Sequence, residues 1–431
     1  MSRFYIGLFF IGLCFLHGEK RIEEHFPQLT NILQKLEGNS PLLLENYQLV
    51  QEQIAYQSVA NSAHGLNLSL KLSVQSINED RPDQSFYHRY RSYGSIFARK
   101  ALFHWGALEA ESNIAKKRTE IAKLNYKKVF DDISTQARHS YLDLLVLHKK
   151  RAVRKESLII NRESLNRQIR QKDLGLSSNL DVSESNASFL ENKLLLADLN
   201  RSLSNSINQF KSITGWEGNI SFDEQDVSFQ NFLSLKSFKN NVPTILTGIS
   251  SRSMDRLEKE IEIEINQLKI ADSQLKPKLN MVGGFYQDQV ALANSDANLL
   301  RNNFVVGVEV NWAIWDSSKS KGQKNAALAK KRRLEYALER EIKDFRINVE
   351  NLRQNLYSLA NRIEMSTKLL SVAKSRFKSS KIEFDANRIS ANRHLRSKIA
   401  LDNARINQLE SVCQYLKTHD LFLTIIHKSH D

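Results

Sequence analysis

Helix breakers are scarce: 431 residues hold only 15 glycines and 5 prolines. So few interruptions over that length favour long helices. Cysteine is nearly absent too, with Cys14 and Cys413 the whole complement. Cys14 falls in a segment that reads as removable, so Cys413 has no intrachain partner and the fold must be held by burial and pairing. No apolar run approaches the roughly 20 residues a membrane-spanning helix requires, and mean hydropathy is −0.43. There is no nucleotide-binding glycine loop, no Gly-x-Ser-x-Gly elbow and no His-Glu-x-x-His pair. His427 and His430 lie three apart near the end and read as a basic tail, not a metal site. No catalytic residue, metal or cofactor is expected.

What is abundant is positive charge: 62 basic against 48 acidic residues, a formal +14. Such an excess could suit nucleic acid, anionic lipid or anionic cargo. The bases are scattered along helical stretches, and charged helix faces are ordinarily just solvated, so charge alone selects no partner. The N-terminus is more telling. Arg3 precedes an apolar run over residues 4–16, followed by His17-Gly18-Glu19-Lys20. This is the layout of a secretory signal, too short to span a bilayer. Residues 1–18 are therefore expected to be a signal peptide, with Leu16 and Gly18 at the −3 and −1 positions. Leu13 before Cys14 does not make a lipoprotein box.

Residues 19–40 show no clear period and read as a loose leader. Ser40-Pro41 opens a helix, an N-cap followed by proline at the first helical position. The period then changes. Leu66, Leu68, Leu70, Leu72 and Val74 alternate with Asn67, Ser69, Lys71, Ser73 and Gln75, the pattern of a strand with one apolar and one polar face. About ten residues is the length of a tilted membrane-spanning strand. A return strand is expected over about 90–102, although Arg91, Arg99 and Lys100 weaken its alternation. A helix without proline follows from 104 to Asp173, roughly 105 Å at 1.5 Å per residue. Leu174-Gly175-Leu176-Ser177-Ser178 breaks it, with Gly175 suited to C′ and Ser178 to a new N-cap. A second helix returns to Thr214. Beyond an irregular connector, 219–242, the series recurs: a helix to about Gln274, strands over about 279–290 and 303–314 joined by a loop at Asn294-Ser295-Asp296, a long helix to Asp385, a break near Asn387, and a last helix to about Ile426.

The two halves keep register. The offset that carries Leu102-Phe103-His104-Trp105-Gly106 onto Ile314-Trp315-Asp316-Ser317-Ser318 also carries Gly175-Leu176-Ser177-Ser178 onto Asn387-Arg388-Ile389-Ser390. Asparagine is apt where the first copy has glycine, because it too tolerates the left-handed conformation. The chain therefore reads as two copies of helix–strand–strand–long helix–tip–helix. The first spans 41–218 with its helical hairpin at 104–214; the second spans 243–431 with its hairpin at 318–426. Four strands cannot close a barrel in lipid, where open edges are not tolerated and the smallest barrels have about eight strands. Several copies must then share one barrel.

These features resemble the outer membrane efflux protein family, the TolC-like channels, over roughly residues 40–427. Three signatures carry the resemblance. One is the strand-to-helix junction Trp312-Ala313-Ile314-Trp315-Asp316-Ser317-Ser318-Lys319, with a weaker copy at Ala101-Leu102-Phe103-His104-Trp105-Gly106. Another is the helix-to-strand junction from Ala271 to Pro277-Lys278-Leu279. The third is the tip followed by Leu180-Asp181-Val182. The resemblance implies a mainly α chain with a membrane β-barrel portion, a homotrimer with a twelve-stranded barrel in outer-membrane lipid, and an α-helical barrel in the periplasm. It implies a passive conduit of a tripartite efflux or type I secretion system, working with a periplasmic adaptor and an inner-membrane transporter. The tips Leu174, Gly175, Leu176 and Asn387, Arg388, Ile389 are then adaptor-docking sites. Family members carry acidic residues after the second tip, at the periplasmic aperture. Here those positions are Arg393 and Arg396, and their first-repeat counterparts are Asp181 and Glu184. The aperture is therefore expected to be basic or salt-bridged.

Two other classes compete. A periplasmic adaptor would also have a long α-hairpin, but a single one flanked by glycine- and β-rich domains. A soluble coiled-coil or nucleic-acid-binding protein would fit the charge and explain neither the period-two strands nor the signal. No nucleic-acid partner is expected.

Overall fold

The structure, a computed structural model, describes residues 21–81, 84–220, 222, 251–291, 298–386 and 388–427. The expected signal segment 1–18, the Asn294-Ser295-Asp296 loop, most of the connector 219–242, Asn387 and His430 lie outside the described residues. A 3-10 turn, Ile22–His25, precedes α1 (Pro27–Gln34), α2 (Leu36–Asn39) and α3 (Pro41–Ser62). Then come β1 (Leu66–Arg81), β2 (Gln84–Phe103), α4 (Ala107–Asp173) and α5 (Asn179–Thr214). The second half supplies α6 (Arg252–Ser273), β3 (Lys278–Ala291), β4 (Asn298–Asn311), α7 (Lys319–Asp385) and α8 (Ala391–His427). Helix dominates, and the order helix–strand–strand–long helix–helix occurs twice.

The chain divides into two compact units, and α4 and α7 contribute residues to both. The first comprises residues 45–128 and 250–346. Its sheet is antiparallel in the order β1-β2-β3-β4. Its helices follow the same order. The Thr119 hydroxyl donates to the Gln53 carbonyl at 3.1 Å and Ser112 to Asn61 at 2.5 Å, so α4 runs antiparallel to α3. Lys117–Glu262 at 2.7 Å and Lys259–Glu120 at 3.5 Å set α6 beside α4. Lys330–Glu264 at 2.6 Å and Lys324–Asp272 at 2.8 Å set α7 beside α6. Each strand is thus the covalent continuation of the helix that holds the matching place in the helical layer. Small and branched residues fill the seams, among them Ala110, Ile114, Ile263, Ala271 and Ala327, all buried.

The other unit comprises residues 1–44, 129–249 and 347–431. Arg138–Asp420 at 2.9 Å, Lys417–Asp143 at 2.6 Å and Lys150–Glu410 at 2.5 Å pair α4 with α8 in antiparallel fashion. Arg154 donates to Asn192 at 2.9 Å between α4 and α5, and Gln408 to Thr367 at 2.9 Å between α8 and α7. Tyr141, Leu142, Leu144, Leu145, Phe210 and Phe422 form its fully buried interior.

The leader departs from expectation. Ile22, Phe26, Leu29, Ile32 and Leu36 are buried, spaced three or four apart as on a helix. The period is there in the sequence, but Pro27, the turn at Lys35 and the extended Ser40 cut it into pieces too short to recognise. Phe26 packs on Tyr141 with ring centroids 5.2 Å apart, and the Ser40 hydroxyl donates to the Ile213 carbonyl at 3.0 Å. Each such buried side chain contributes roughly 1.5–3 kcal/mol. The first three strands extend beyond the expected spans, β2 reaching 20 residues, whereas β4 starts before its expected span and stops at Asn311, short of 314.

Candidate functional site

The two faces of the sheet differ in chemistry and in exposure. Register places Leu70, Ile96, Phe285 and Phe304 in one row across the four strands, and Leu68, Ala98, Gly283 and Val306 in the next. Because side chains alternate along a strand, these rows lie on a single apolar face. Leu66, Leu68, Leu70, Leu72 and Val74 are 65–76% exposed and Phe304 is 84% exposed. The opposite face is polar and more sheltered: Ser95 is 5% exposed and Asn280 8%.

Two arginines of β2 on that second face are paired with carboxylates. Arg91 meets Asp288 at 2.7 Å, and Arg99 reaches Glu309 at 2.9 Å. The second contact crosses β3. These pairs explain the weak alternation of β2. Its arginines answer carboxylates on strands of the other half of the chain, which a local pattern cannot show. Phe97, Tyr93 and Tyr286 stack on the same face, with Phe97 and Tyr286 centroids 6.3 Å apart. Gly284 makes room for them: a Cβ there would lie 2.5 Å from the Phe97 ring and from the Ile96 carbonyl oxygen. Among the described residues neither β1 nor β4 has a strand on its outer edge.

The strand-to-helix junctions carry three of the chain's four tryptophans, Trp105, Trp312 and Trp315. All three are exposed. The Trp105 indole donates to the Pro277 carbonyl at 2.8 Å and lies under the Lys276 ammonium at 5.0 Å. The Trp312 indole donates to the Leu275 carbonyl at 2.9 Å. Apolar rings with one satisfied polar edge suit a boundary between water and hydrocarbon. The backbone here is strained. Trp105, Ser317 and Ser318 have φ of 58°, 53° and 68°, a region costing an L-residue roughly 1–2 kcal/mol. Asp316 offsets part of this at the start of α7. Its carboxylate accepts from the Ser320 hydroxyl and, at 2.8 Å, from the Ser320 N–H. Those bonds hold its pKa below the ordinary aspartate value.

The hairpin tips are built alike at equivalent positions of the two halves. At the first, the Leu176 N–H donates to the Gln171 carbonyl and the Gly175 N–H to that of Lys172, at 2.8 and 2.9 Å. Gly175 sits at φ 73°, so the helix closes with a left-handed residue as glycine permits. At the second, the Arg388 N–H donates to the Glu383 carbonyl at 2.8 Å. Leu174 and Leu176 are exposed, Ile389 is half-buried, and Arg388 is exposed.

The following helices open differently. The Ser178 hydroxyl accepts from the Asp181 N–H at 3.1 Å, and the Asp181 carboxylate accepts from the Ser178 N–H at 2.9 Å. This reciprocal box depresses the Asp181 pKa, chiefly through the Ser178 backbone N–H. At the second tip Ser390 accepts from the Arg393 N–H at 3.4 Å, and an arginine cannot return the bond. Arg393 and Arg396 are exposed in the first turns of α8, where the helix dipole disfavours cations. Among the described residues no ion pair joins them to Asp181 or to Glu184, which is also exposed.

One tip residue escaped the sequence reading. His394 stacks between Phe377 and Phe384, centroids 5.3 and 4.9 Å away, and its Nδ1 lies 3.2 Å from the Ser380 hydroxyl. The Phe-x6-Phe spacing and a histidine just past the break were visible but carried no known motif.

An exposed apolar sheet face is thus continued strand by strand into a helical layer. The chain covers 95% of itself and 95% of the solved structure of CusC, whose study concerns transmembrane channel formation, at TM-score 0.74 and 13% identity. It aligns with the outer membrane protein VceC of Vibrio cholerae at TM-score 0.70 and 13% identity, covering 93% of this chain and 96% of that one. With the CmeC outer membrane channel of Campylobacter jejuni the values are 0.73 and 11%, covering 93% and 85%. At such identities the likeness is one of fold. Among curated proteins none matches significantly. Residues 32–216 match the family model described as outer membrane efflux protein. Through this stretch, less than half of its length, the chain is similar to that family.

Proposed function

We propose that three copies of the chain share one twelve-stranded β-barrel in the outer membrane and one α-helical barrel beneath it. Together they form the passive conduit of a tripartite efflux or type I secretion system. The observation that carries this reading is the sheet itself: one face apolar and exposed, one polar and more sheltered on its inner strands, and neither β1 nor β4 paired on its outer edge among the described residues. In lipid such edges must be closed by identical neighbours. The chain does no chemistry of its own. Residues 1–18 act as the signal, and 41–218 and 243–431 as two repeats around the connector 219–242.

The tips Leu174, Gly175, Leu176 and Asn387, Arg388, Ile389 dock a periplasmic adaptor, which couples the channel to an inner-membrane transporter. Arg393 and Arg396 stand at the periplasmic aperture with Asp181 and Glu184. Three copies bring six guanidinium groups to one mouth, favouring anions. The exposure of both arginines and the absence of an ion pair to Asp181 or Glu184 among the described residues support a basic ring. Fractionation tests the first claim: a heat-modifiable oligomer in outer membranes is expected, and a soluble monomer overturns it. Reversal potentials across planar bilayers test the second. Anion preference should fall in Arg393→Ala/Arg396→Ala, and cation selectivity unaltered by that variant refutes the basic ring.

A further inference from the structure

The polar face of the sheet carries an aromatic patch on its two inner strands. Tyr93 and Phe97 of β2 both lie beside Tyr286 of β3, with centroids 6.4 and 6.3 Å away and ring planes 30° and 21° apart. Offset, near-parallel rings of this kind extend one another into a single platform. The Phe97 ring lies against the Gly284 backbone, where a Cβ would meet it at 2.5 Å. All three rings are half-buried, so part of the platform stays open.

Polar groups beside the platform lack answers. Register places Lys71, Ser95, Tyr286 and Asn303 in one row, and Ser73, Tyr93, Asp288 and Arg301 in the next row on the same face. Arg91 and Arg99 on this face are taken by Asp288 and Glu309. Lys71 and Arg301 are exposed and, among the described residues, enter no ion pair. Arg301 is the diagonal neighbour of Tyr286, roughly 7–8 Å away along the backbone, and Lys71 stands two strands off, about 10 Å. Next to Tyr286 the Asn303 Nδ2 is buried without an acceptor, a state that buried donors rarely keep.

We propose that this patch binds a planar aromatic carboxylate. The ring of such a solute stacks on the Tyr286 platform in the offset geometry that aromatic pairs prefer. Its ionised carboxylate, which only accepts hydrogen bonds, answers the Asn303 amide and the two unpaired cations. A neutral aromatic would leave the cations unanswered, and an aliphatic carboxylate would leave the rings unused. The inference rests on the channel reading, because the polar face lines a lumen only if several copies close the barrel.

The test is current through the purified full-length oligomer in planar bilayers, with 2-naphthoate as the probe. Its saturated analogue, decahydro-2-naphthoate, carries the same charge without π faces. Saturable block by 2-naphthoate and little block by the analogue are expected. Half-blocking concentrations should rise by about threefold or more in Tyr286→Leu, the loss of one stacking partner, and similarly in Lys71→Gln. Lys100→Gln should leave block unchanged, since it removes equal charge from the apolar face, in the row of Leu66. Conductance without saturable block overturns this inference and leaves the channel reading standing. Equal block by the two probes overturns it as well, as does equal loss in Lys71→Gln and Lys100→Gln. Absence of any conductance overturns the channel reading and the site with it. Should Tyr286→Leu fail to assemble, Lys71→Gln and the two probes on native protein decide.

Discussion

Replacing Val306 with lysine separates a membrane sheet from a water-soluble one. Val306 is 80% exposed and stands in a row with Gly283, Ala98 and Leu68. That row offers no carboxylate. The sheet's described acidic partners, Asp288 and Glu309, alternate onto the other face and already hold Arg91 and Arg99. A lysine at position 306, mid-way along the apolar run of β4, would therefore face solvent or lipid unpaired. In water an exposed substitution of this kind changes stability by no more than about 0.5 kcal/mol. Facing lipid near the bilayer midplane it costs roughly 2–4 kcal/mol per copy, hence roughly 6–12 kcal/mol for three. Ser69→Lys serves as the control, since Ser69 lies on the polar face of β1. The assay is refolding into lipid bilayers followed by the temperature at which the oligomer dissociates on a gel. Val306→Lys should abolish or sharply lower the oligomer and Ser69→Lys should leave it near native. If both variants assemble with equal stability, the apolar face does not meet lipid and the reasoning fails.

Glycine positions on the polar face give a second contrast. Gly284→Ala places a methyl 2.5 Å from the Phe97 ring and the Ile96 carbonyl and should destabilise by roughly 1–3 kcal/mol; Gly307→Ala meets nothing within 4 Å and should be neutral in the same dissociation assay. Acid should loosen the first tip. Ser178 and Ser177 hold the Asp181 carboxyl below its ordinary value of 3.8, so its contribution is complete above that value and disappears as pH falls through the depressed one. Amide exchange at 179–183 should accelerate in that window for native protein, and Asp181→Asn should remove the pH dependence; an unchanged profile counts against the capping role. Cys413 is 3% exposed and burial raises its thiol to about 12. Maleimide should label it only after unfolding, and rapid labelling of native oligomer at pH 8 contradicts its place in the interior.

Several features were legible without coordinates because they are local. Alternation from Leu66 to Val74 follows from the two-residue pleat, and the common register of the two halves follows from turn chemistry repeated at Gly175-Leu176-Ser177-Ser178 and Asn387-Arg388-Ile389-Ser390. The structure carries that register into hydrogen bonds, with Leu176 to Gln171 matched by Arg388 to Glu383, and Asp181 to Ser178 matched by Arg393 to Ser390. The leader was less legible because its helical spacing is cut into pieces shorter than a recognisable period. His394 was not legible at all, since its role comes from two phenylalanines across a turn.

Backbone periodicity thus determined, from the sequence by itself, that long helices, amphipathic strands and two similar halves must occur. Tertiary structure alone decided which charges are answered. Arg91 and Arg99 look like faults in a strand until β3 and β4 bring Asp288 and Glu309 to them. The reason is physical. The shape of a helix or strand depends on near neighbours along the chain, whereas electrostatic pairing depends on distances in space, which are set only when segments from opposite halves of the sequence are packed side by side.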